Sequence, residues 1–131
     1  MYELNVANAL VPAQTDMQVR EVTIGALLRE VATEKPHAEA LVEITQTGIA
    51  GRRWAYGELL EDSERLDRAL NSRFKLGEHI AFWAPNSPEW VLMEYACALA
   101  GLVLVTANPA FQANELRYVL EHSGAASMIS L

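Results

Sequence analysis

The continuous apolar stretch at residues 90–107 is the feature that most constrains how this chain can fold. Such a stretch either crosses a membrane or lies in a protein core, and a membrane span needs about 20 apolar residues with few charges. The stretch carries Glu94, and a carboxylate at mid-membrane costs about 3 kcal/mol. Gly101 divides it into an alanine-rich piece and a piece rich in valine and leucine. These residues therefore predict a buried helix over 88–100 and a buried strand over 102–108, without a transmembrane span.

The second half of the chain alternates between strand and helix patterns. Short apolar runs typical of strands lie at 79–84, 102–108 and 126–131, and helical patterns at 88–100 and 113–122 separate them. This order predicts parallel strands joined by right-handed crossovers. The first two strands lack alternation between apolar and polar residues, which is typical of strands covered on both faces.

The first half predicts smaller elements in front of this unit. They are an extended arm at 1–20, a helix at 24–34, a β-hairpin formed by strands at 39–45 and 52–56, and a helix at 56–74. The predicted fold class is therefore α/β: a three-layer βαβαβ parallel sheet preceded by a helix and a small β-hairpin. Residues 21–131 are expected to form this one folded unit.

Apolar spacing predicts which helix faces point inward. The inward residues of the first helix are Ile24, Leu27, Leu28 and Val31, and those of the last helix are Leu116, Val119 and Leu120. Hydroxyl side chains are good helix N-caps, so Thr23 and Ser87 are the predicted caps of the helices that follow them. Pro88 suits the first helical position, where no backbone N–H is needed.

Charge and cysteine content exclude several classes of protein. The net charge of −7 argues against a nucleic-acid partner, which needs a basic face. The adjacent Arg52 and Arg53 are interpreted as a solvated turn between strands. The single cysteine, Cys97, excludes a disulfide within the chain, and its apolar neighbours predict a buried small side chain and not a nucleophile. Residues 1–19 contain no Lys or Arg and so predict no signal peptide, and a cytoplasmic location is expected.

The sequence offers few groups for catalysis or metal binding. The three histidines, His37, His79 and His122, lie far apart without metal-ligand spacing and are interpreted as surface or edge residues. The seven glycines form no phosphate-binding loop. We therefore predict no catalytic, cofactor-binding or metal-binding residue in this chain.

Three polar residues lie where ligand sites occur in α/β proteins. Asn86, Ser87 and Asn108 follow predicted strands directly, and open parallel sheets bind ligands beyond the carboxyl ends of their strands. The same residue types also stabilise turns through their own side chains. The sequence leaves both interpretations open, with turn chemistry the more common one.

Two stretches of the sequence resemble a known family. They read RRWAYGELLEDSERLDRAL and GEHIAFWAPNSPEWVLMEYACALAGLVLVTANPAFQANELRYVLEHSGA. Their motifs W-x-Y-G-E-L, A-P-N-S-P-E-W, A-G-x-x-x-V-x-x-N-P and E-L-R-Y-V-L resemble the N-terminal part of the adenylate-forming (AMP-binding) acyl-CoA synthetases, close to the fatty acyl-CoA synthetases. The resemblance covers about residues 20–131.

The resemblance implies a fold and a reaction. It implies a truncated N-terminal subdomain of the ligase fold, with strand 79–84 in the middle of the sheet. The family joins a fatty acid to AMP from ATP with release of pyrophosphate, then transfers the acyl group to CoA, so ATP, Mg and CoA are implied for the full-length family. Its phosphate loop, its ribose-binding acidic residue and its lid lysine lie beyond the matched region. No catalytic residue carries over, and we expect no adenylation by this chain alone.

Two positions depart from the family pattern. Where the family usually has Thr or Ser, which makes a capping box with Glu58, this chain has Ala55. Loss of that hydroxyl is expected to cost on the order of 1 kcal/mol. Ala107 replaces a larger aliphatic residue and is expected to remove some packing in its strand.

Three interpretations of function remain open. The chain is a fragment of a ligase that is inactive alone, a freestanding small α/β binding or interaction module, or a subunit that pairs with the remainder of a ligase. The stretch HIAFWAPNS lacks the acidic residues of a receiver domain and the phosphate loop of a flavin-binding module. The strand sequences ASMISL and LVLVT carry no charge and no proline to protect an edge, so we expect self-association.

Overall fold

A computed structural model describes residues 19–131 of this chain. The arm predicted for residues 1–20 lies almost entirely outside the described residues. The described helices and strands are α1 Ile24–Glu34, β1 Glu39–Ile44, β2 Ala50–Ala55, α2 Tyr56–Asn71, β3 His79–Trp83, α3 Pro88–Ala100, β4 Val103–Ala107, α4 Ala113–Ser123 and β5 Ser127–Ser130.

A three-stranded parallel sheet has the order β4-β3-β5. In the middle strand, Ile80 lies beside Leu104 on one side and Ser127 on the other. The predicted parallel pairing, with the strand at 79–84 in the centre, is confirmed. β1 and β2 form a separate antiparallel pair, which confirms the predicted hairpin and, with it, the α/β class.

The main core lies between one face of the sheet and α3. Ile80 and Phe82 of β3 are at most 1% exposed, and they pack with Ala96 and Cys97 of α3. These small side chains let the helix lie close to the strands. Gly101 ends α3 with a φ of 68°, a left-handed conformation that suits glycine. The predicted division of the apolar stretch into a buried helix and a strand is therefore confirmed.

The helices within residues 19–131 do not have the features of membrane-spanning helices. None of them combines the length and the apolar character that a membrane-spanning helix requires. The most apolar one, α3, has 13 residues.

The opposite face of the sheet is covered less completely. Ala81 in the central strand is fully buried, but Val103 in β4 is 42% exposed and Met128 in β5 is 39% exposed. None of the residues of α4 is buried. The prediction that the first two strands are covered on both faces is therefore confirmed for β3 and wrong for β4. Within the described residues, little of the sheet face opposite α3 is packed against a helix.

A second, smaller core joins the hairpin to α1 and α2. Leu28, Trp54 and Leu59 form its buried centre. The inward face predicted for α1 is wrong in part, because Ile24 is 55% and Leu27 is 39% exposed.

The buried face of α1 is turned toward its small residues. Gly25, Leu28 and Ala32 are the buried residues of this helix. A Cβ added to Gly25 would lie 3.0 Å from Cδ2 of Leu99 and 3.3 Å from the carbonyl oxygen of Ala98. α1 therefore approaches the end of α3 closely at Gly25, and this contact decides the rotation of α1 about its axis.

Asp62 of α2 ties this helix to the hairpin. Its carboxylate accepts hydrogen bonds from Nε1 of Trp54 at 3.0 Å and from Arg52 at 2.9 Å, and it also pairs with Arg65. The Arg52 guanidinium lies 4.2 Å from the centre of the Trp54 ring. Burial raises the pKa of the Asp62 carboxyl, but the Trp54 hydrogen bond and the charges of Arg65 and Arg52 outweigh burial and hold the pKa below its ordinary value. Arg52 and Arg53 are exposed and lie within β2, which confirms the predicted strand over 52–56 at these residues, whereas their interpretation as a turn is wrong.

The ends of α2 show what the sequence supplies for capping. Ala55 is its N-cap residue, and the backbone N–H of Ala55 donates to Oε2 of Glu58 at 2.9 Å. The alanine has no oxygen to accept the reciprocal bond, so only half of a capping box forms. The helix ends at Asn71 and not at residue 74, and the N–H of Arg73 bonds to the carbonyl of Leu70 three residues earlier, which tightens the chain after the last helical turn.

Candidate functional site

The carboxyl ends of β3 and β4 are the point at which the connections of the sheet diverge. The chain moves from β3 to β4 in one direction and then returns past β3 to reach β5. Crossovers of the same right hand place α3 and α4 on opposite faces of the sheet. In open α/β sheets such a divergence leaves a crevice beyond the strand ends, and ligands bind there.

A cleft of about 720 Å³ occupies this position. Its walls come from the turn between β3 and α3 and from the loop between β4 and α4. The lining residues are Ala84, Pro85, Asn86, Trp90, Thr106, Ala107, Asn108, Pro109 and Phe111. Two of the three candidate residues, Asn86 and Asn108, therefore line one cleft. Its volume lies within the usual range for small-molecule sites.

Asn108 shapes the wall that follows β4. Its Oδ1 accepts a hydrogen bond from the backbone N–H of Ala110 at 2.9 Å, as in an Asx turn. Its backbone carbonyl accepts bonds from Nε1 of Trp83 at 2.9 Å and from the N–H of Phe111 at 3.0 Å. Turn chemistry is therefore present at Asn108. Its side-chain NH2 group has no hydrogen-bond partner among residues 19–131.

Two tryptophans that the sequence analysis did not single out brace the cleft. The bond from Trp83 ties the end of β3 to the loop after β4. Trp90 donates from Nε1 to the carbonyl of Ala84 at 3.0 Å, and its ring meets Phe82 edge-on with 4.6 Å between centroids. The sequence could have indicated them by their positions, since Trp83 ends a predicted strand and Trp90 lies in the first turn of the helix that follows.

Ser87 is the N-cap residue of α3, as predicted, but its hydroxyl does not cap the helix. The backbone at Ser87 is more extended, with a φ of −155°, than at Thr23, where φ is −75° and the hydroxyl accepts from the N–H of Ala26. Oγ of Ser87 is buried and lacks a partner within the described residues. Ser87 lines a second groove of about 540 Å³ that also contacts residues 41–46 of the hairpin. Ser87 and Asn108 therefore line different cavities, Asn108 the cleft and Ser87 the second groove.

A carboxylate of the chain itself lies at the N-terminus of α3. The Ser87 hydroxyl and the backbone N–H of Glu89 lower the pKa of the Glu89 carboxyl, and burial opposes them. The hydroxyl exerts this effect without reaching the geometry of a hydrogen bond. Pro88 supplies no N–H at the first helical position. An external anion at this helix end would meet the Glu89 carboxylate, so the helix end is a poor phosphate site.

The chemistry of the lining limits what the cleft can hold. None of its lining residues is charged. Among residues 19–131, no three His, Cys, Asp or Glu side chains lie close enough together to hold a metal ion. Transferring phosphate groups needs positioned cations or converging N–H donors, and Mg²⁺ needs oxygen ligands such as carboxylates. The residues that line the cleft therefore do not fit Mg²⁺ or the phosphates of ATP and CoA.

The other titratable candidates lie away from the cleft. Cys97 is buried in α3, and burial raises the pKa of its thiol to about 11, so it is protonated near neutral pH. His37 and His122 are exposed, as predicted. His79 is partly buried at the start of the central strand, with Nδ1 2.7 Å from the carbonyl oxygen of Ser123. The surface or edge position predicted for His79 is therefore wrong, because β3 is flanked by strands on both sides.

Solved structures share this architecture. A fatty acyl CoA synthetase of Mycobacterium tuberculosis aligns with a TM-score of 0.74 and 30% identity, over 82% of this chain and 21% of that one. The N-terminal domain of FACL13 from the same organism aligns with a TM-score of 0.75 and 30% identity, over 83% of this chain and 27% of that one. The chain has the fold of the N-terminal subdomain of adenylate-forming ligases.

Sequence comparison identifies the family. The family described as AMP-binding enzyme matches residues 28–130. Medium-chain acyl-CoA ligase ACSF2, mitochondrial, of Rattus norvegicus is 36% identical over 120 residues, which cover 91% of this chain and 19% of the relative. Putative acyl-CoA synthetase YngI of Bacillus subtilis is 35% identical over 108 residues, which cover 82% of this chain and 19% of the relative. The chain belongs to the AMP-binding enzyme family, which confirms the resemblance, and it spans about a fifth of the length of these relatives.

Proposed function

We propose that this chain is an N-terminal fragment of an ATP-dependent fatty acid–CoA ligase and is inactive alone. In the full-length ligase the fatty acid is adenylated with release of pyrophosphate, and the acyl group then passes to the thiol of CoA. The observation that carries the proposal is the match to the AMP-binding family over residues 28–130, in a chain that covers about a fifth of its relatives.

The chemistry of the described residues supports the proposed inactivity. The cleft has no charged lining residue, and Glu89 occupies the end of α3 that faces the neighbouring groove. ATP, Mg and CoA therefore belong to the full-length ligase, where other parts of the polypeptide hold them. This chain contributes a folded subdomain and one wall of a cleft. A cytoplasmic location remains a prediction.

Isotope exchange tests the activity of the chain alone. The purified chain is incubated with a medium-chain fatty acid, Mg-ATP and labelled pyrophosphate, with a full-length fatty acyl-CoA synthetase as the positive control. We expect no incorporation of label into ATP above a blank without protein. Acid-dependent exchange by the chain would overturn the proposed inactivity and leave the family membership intact.

A chimera tests the proposed ligase role. Residues 28–130 replace the matching segment of the Mycobacterium tuberculosis fatty acyl CoA synthetase. We expect the chimera to form acyl-CoA from a fatty acid. A control chimera with Ala81→Asp, which places a charge in a fully buried position of β3, is expected to lose both fold and activity. A folded chimera that binds no acyl adenylate and forms none would overturn the proposal.

A further inference from the structure

We propose that residues 2–6 of this chain, which lie outside the described residues, dock in the second groove as a third strand beside β1. The groove lies between residues 41–46 of the hairpin and residues 85–88 at the start of α3. The docking does not depend on the proposed ligase function, because it joins two parts of this chain.

The edge of β1 that faces away from β2 has no backbone partner among residues 19–131. The hairpin sheet contains two strands, and residues 40–44 make no backbone–backbone hydrogen bond apart from their pairing with β2. An unpaired edge of this kind is a template for one more strand. A two-stranded hairpin is also only marginally stable by itself, so a third strand would add to its stability.

The second groove lies on the β1 side of the hairpin, because residues of β1 line it and residues of β2 do not. Much of its lining is apolar. Leu41 and Val42 are half-buried, Ile44 is 64% exposed, and Pro85 and Pro88 form part of the opposite wall. A strand that entered the groove would therefore find backbone groups to pair with and apolar surface to cover.

A hydroxyl at the groove also needs a partner. Oγ of Ser87 is buried and unpaired within the described residues, and such unsatisfied groups are uncommon in folded proteins. Ser87 as a residue is only half-buried, so another staggered χ1 rotamer turns its hydroxyl toward the groove. The backbone of a strand docked beside residues 85–88 carries carbonyl oxygens that can accept a hydrogen bond from this hydroxyl.

The segment YELNV near the start of the sequence has the pattern of a strand that is covered on one face. Apolar residues alternate with polar ones in it. In an extended strand Tyr2, Leu4 and Val6 share one face, and Glu3 and Asn5 share the other. The first face matches the apolar lining of the groove, and the second face suits water.

The chain between this segment and α1 is long enough to reach the groove. Gly25 of α1 lies against Leu99, near the end of α3, whereas residues 85–88 lead into the first turn of α3. The 13 residues of α3 put about 20 Å between these two points. Residues 7–18 can span about 40 Å when extended. Such a tether gives an effective concentration on the order of millimolar, so the segment outcompetes a second copy at micromolar concentration.

Paramagnetic broadening in the whole chain tests the docking. A nitroxide is attached to Asn5→Cys, on the polar face of the segment, in ¹⁵N-labelled protein. The buried Cys97, whose thiol pKa is raised to about 11, stays unlabelled near neutral pH. We expect the amide signals of residues 41–46 to lose most of their intensity, and those of residues 75–78, which precede β3 at its other end, to lose much less. Undiminished signals at residues 41–46 would overturn the inference.

A mixed sample distinguishes this segment from a second copy of the chain. Nitroxide-labelled chain without ¹⁵N is mixed with ¹⁵N-labelled chain without the nitroxide, so that only contacts between molecules broaden the observed signals. We expect no broadening at residues 41–46 in this sample. Broadening as strong as in the singly labelled chain would identify a second copy as the occupant and would contradict the proposal.

A pair of variants tests which face of the segment is covered. In the nitroxide-labelled chain, Leu4→Asn removes an apolar side chain from the covered face and should restore most of the intensity lost at residues 41–46. Glu3→Asn changes the polar face and should leave the broadening as it was. Equal effects of the two substitutions would contradict the assigned faces, and none of these outcomes bears on the exchange or chimera tests.

Discussion

Replacing Ala55 by threonine should stabilise the chain, because the structure already holds every other part of an N-cap at this position. The backbone of Ala55 has φ −73° and ψ 162°, close to the φ −75° and ψ 155° of Thr23, whose Oγ1 accepts a hydrogen bond from the N–H of Ala26 at 3.2 Å. Glu58 already accepts from the N–H of Ala55. A hydroxyl at residue 55 would accept from the N–H of Glu58 and complete the capping box.

The expected gain in stability from Ala55→Thr is taken from the typical effect of N-cap substitutions in other helices. Exchange between alanine and threonine at an N-cap changes stability by about 1 kcal/mol. In a domain of this length that change corresponds to an increase of about 4 °C in the unfolding midpoint. The assay is thermal unfolding followed by circular dichroism, together with urea unfolding in which the midpoint rises and the slope stays constant.

Two control variants isolate the contribution of the hydroxyl. Ala55→Val adds nearly the same volume and the same preference for extended backbone at the end of β2 but no oxygen, so it should give no comparable gain. Thr23→Val removes an existing cap and should lower stability by about 1 kcal/mol. Equal gains from Ala55→Thr and Ala55→Val would show that strand preference and not capping is responsible. An unchanged or lower midpoint for Ala55→Thr would refute the geometric argument itself.

Three further predictions follow from other parts of the structure. Asp62→Asn should lower the free energy of unfolding by about 1–2 kcal/mol at pH 7. Because the pKa of this carboxyl is lowered in the folded chain, its contribution to stability is present above the ordinary pKa of 3.8 and is lost as the pH falls through the folded pKa. Urea unfolding of both proteins at several pH values should show the difference in stability shrinking below pH 3.8, and a constant difference would contradict the assignment. Gly101→Ala should lower the free energy of unfolding by about 1–2 kcal/mol, because φ is 68° there and the new Cβ would contact Leu76. Gly124 has a φ of 64° but open space around it, so Gly124→Ala should show only the part of this loss that comes from backbone strain. A larger loss at Gly124 than at Gly101 in chemical denaturation would contradict the reasoning. The exposed Val103 and Met128 should drive self-association that increases with salt. Salt at about 0.5 M screens the repulsion between negatively charged chains beyond about 4 Å. Light scattering should detect the association, and a monomer at that salt concentration would favour a freestanding module.

Periodic patterns predicted the backbone well, because they depend on burial along single elements. The alternation of strand and helix in the second half gave three parallel strands at nearly the observed bounds. The inward face of α1 was harder to predict, since apolar spacing favoured Ile24 and Leu27 while the packing is set by the approach of Gly25 to Leu99. A glycine contact of this kind has no signature in apolar spacing.

Side-chain partners between elements were the least predictable part. The pairing of Arg52 with Asp62 depends on how the hairpin lies against α2, so sequence alone suggested a solvated turn. At the cleft, a general rule for strand ends located Asn86 and Asn108 correctly. The bond from Trp83 to the carbonyl of Asn108 joins residues that are 25 apart in sequence, and it could not be inferred without the sheet register. The hydroxyl of Ser87 failed to cap α3 because of a local backbone angle.

The position of α3 has a consequence for how the chain unfolds. One side of this helix packs into the main core through Ala96 and Cys97, and another side packs against the second core around Trp54 and Leu59 through Val91 and Tyr95. A helix that is apolar all round is stable only while both sides stay covered. Opening of either cluster would expose α3 to water and weaken the other cluster as well. The hairpin and the sheet should therefore exchange their protected amide hydrogens as one cooperative unit and not as two.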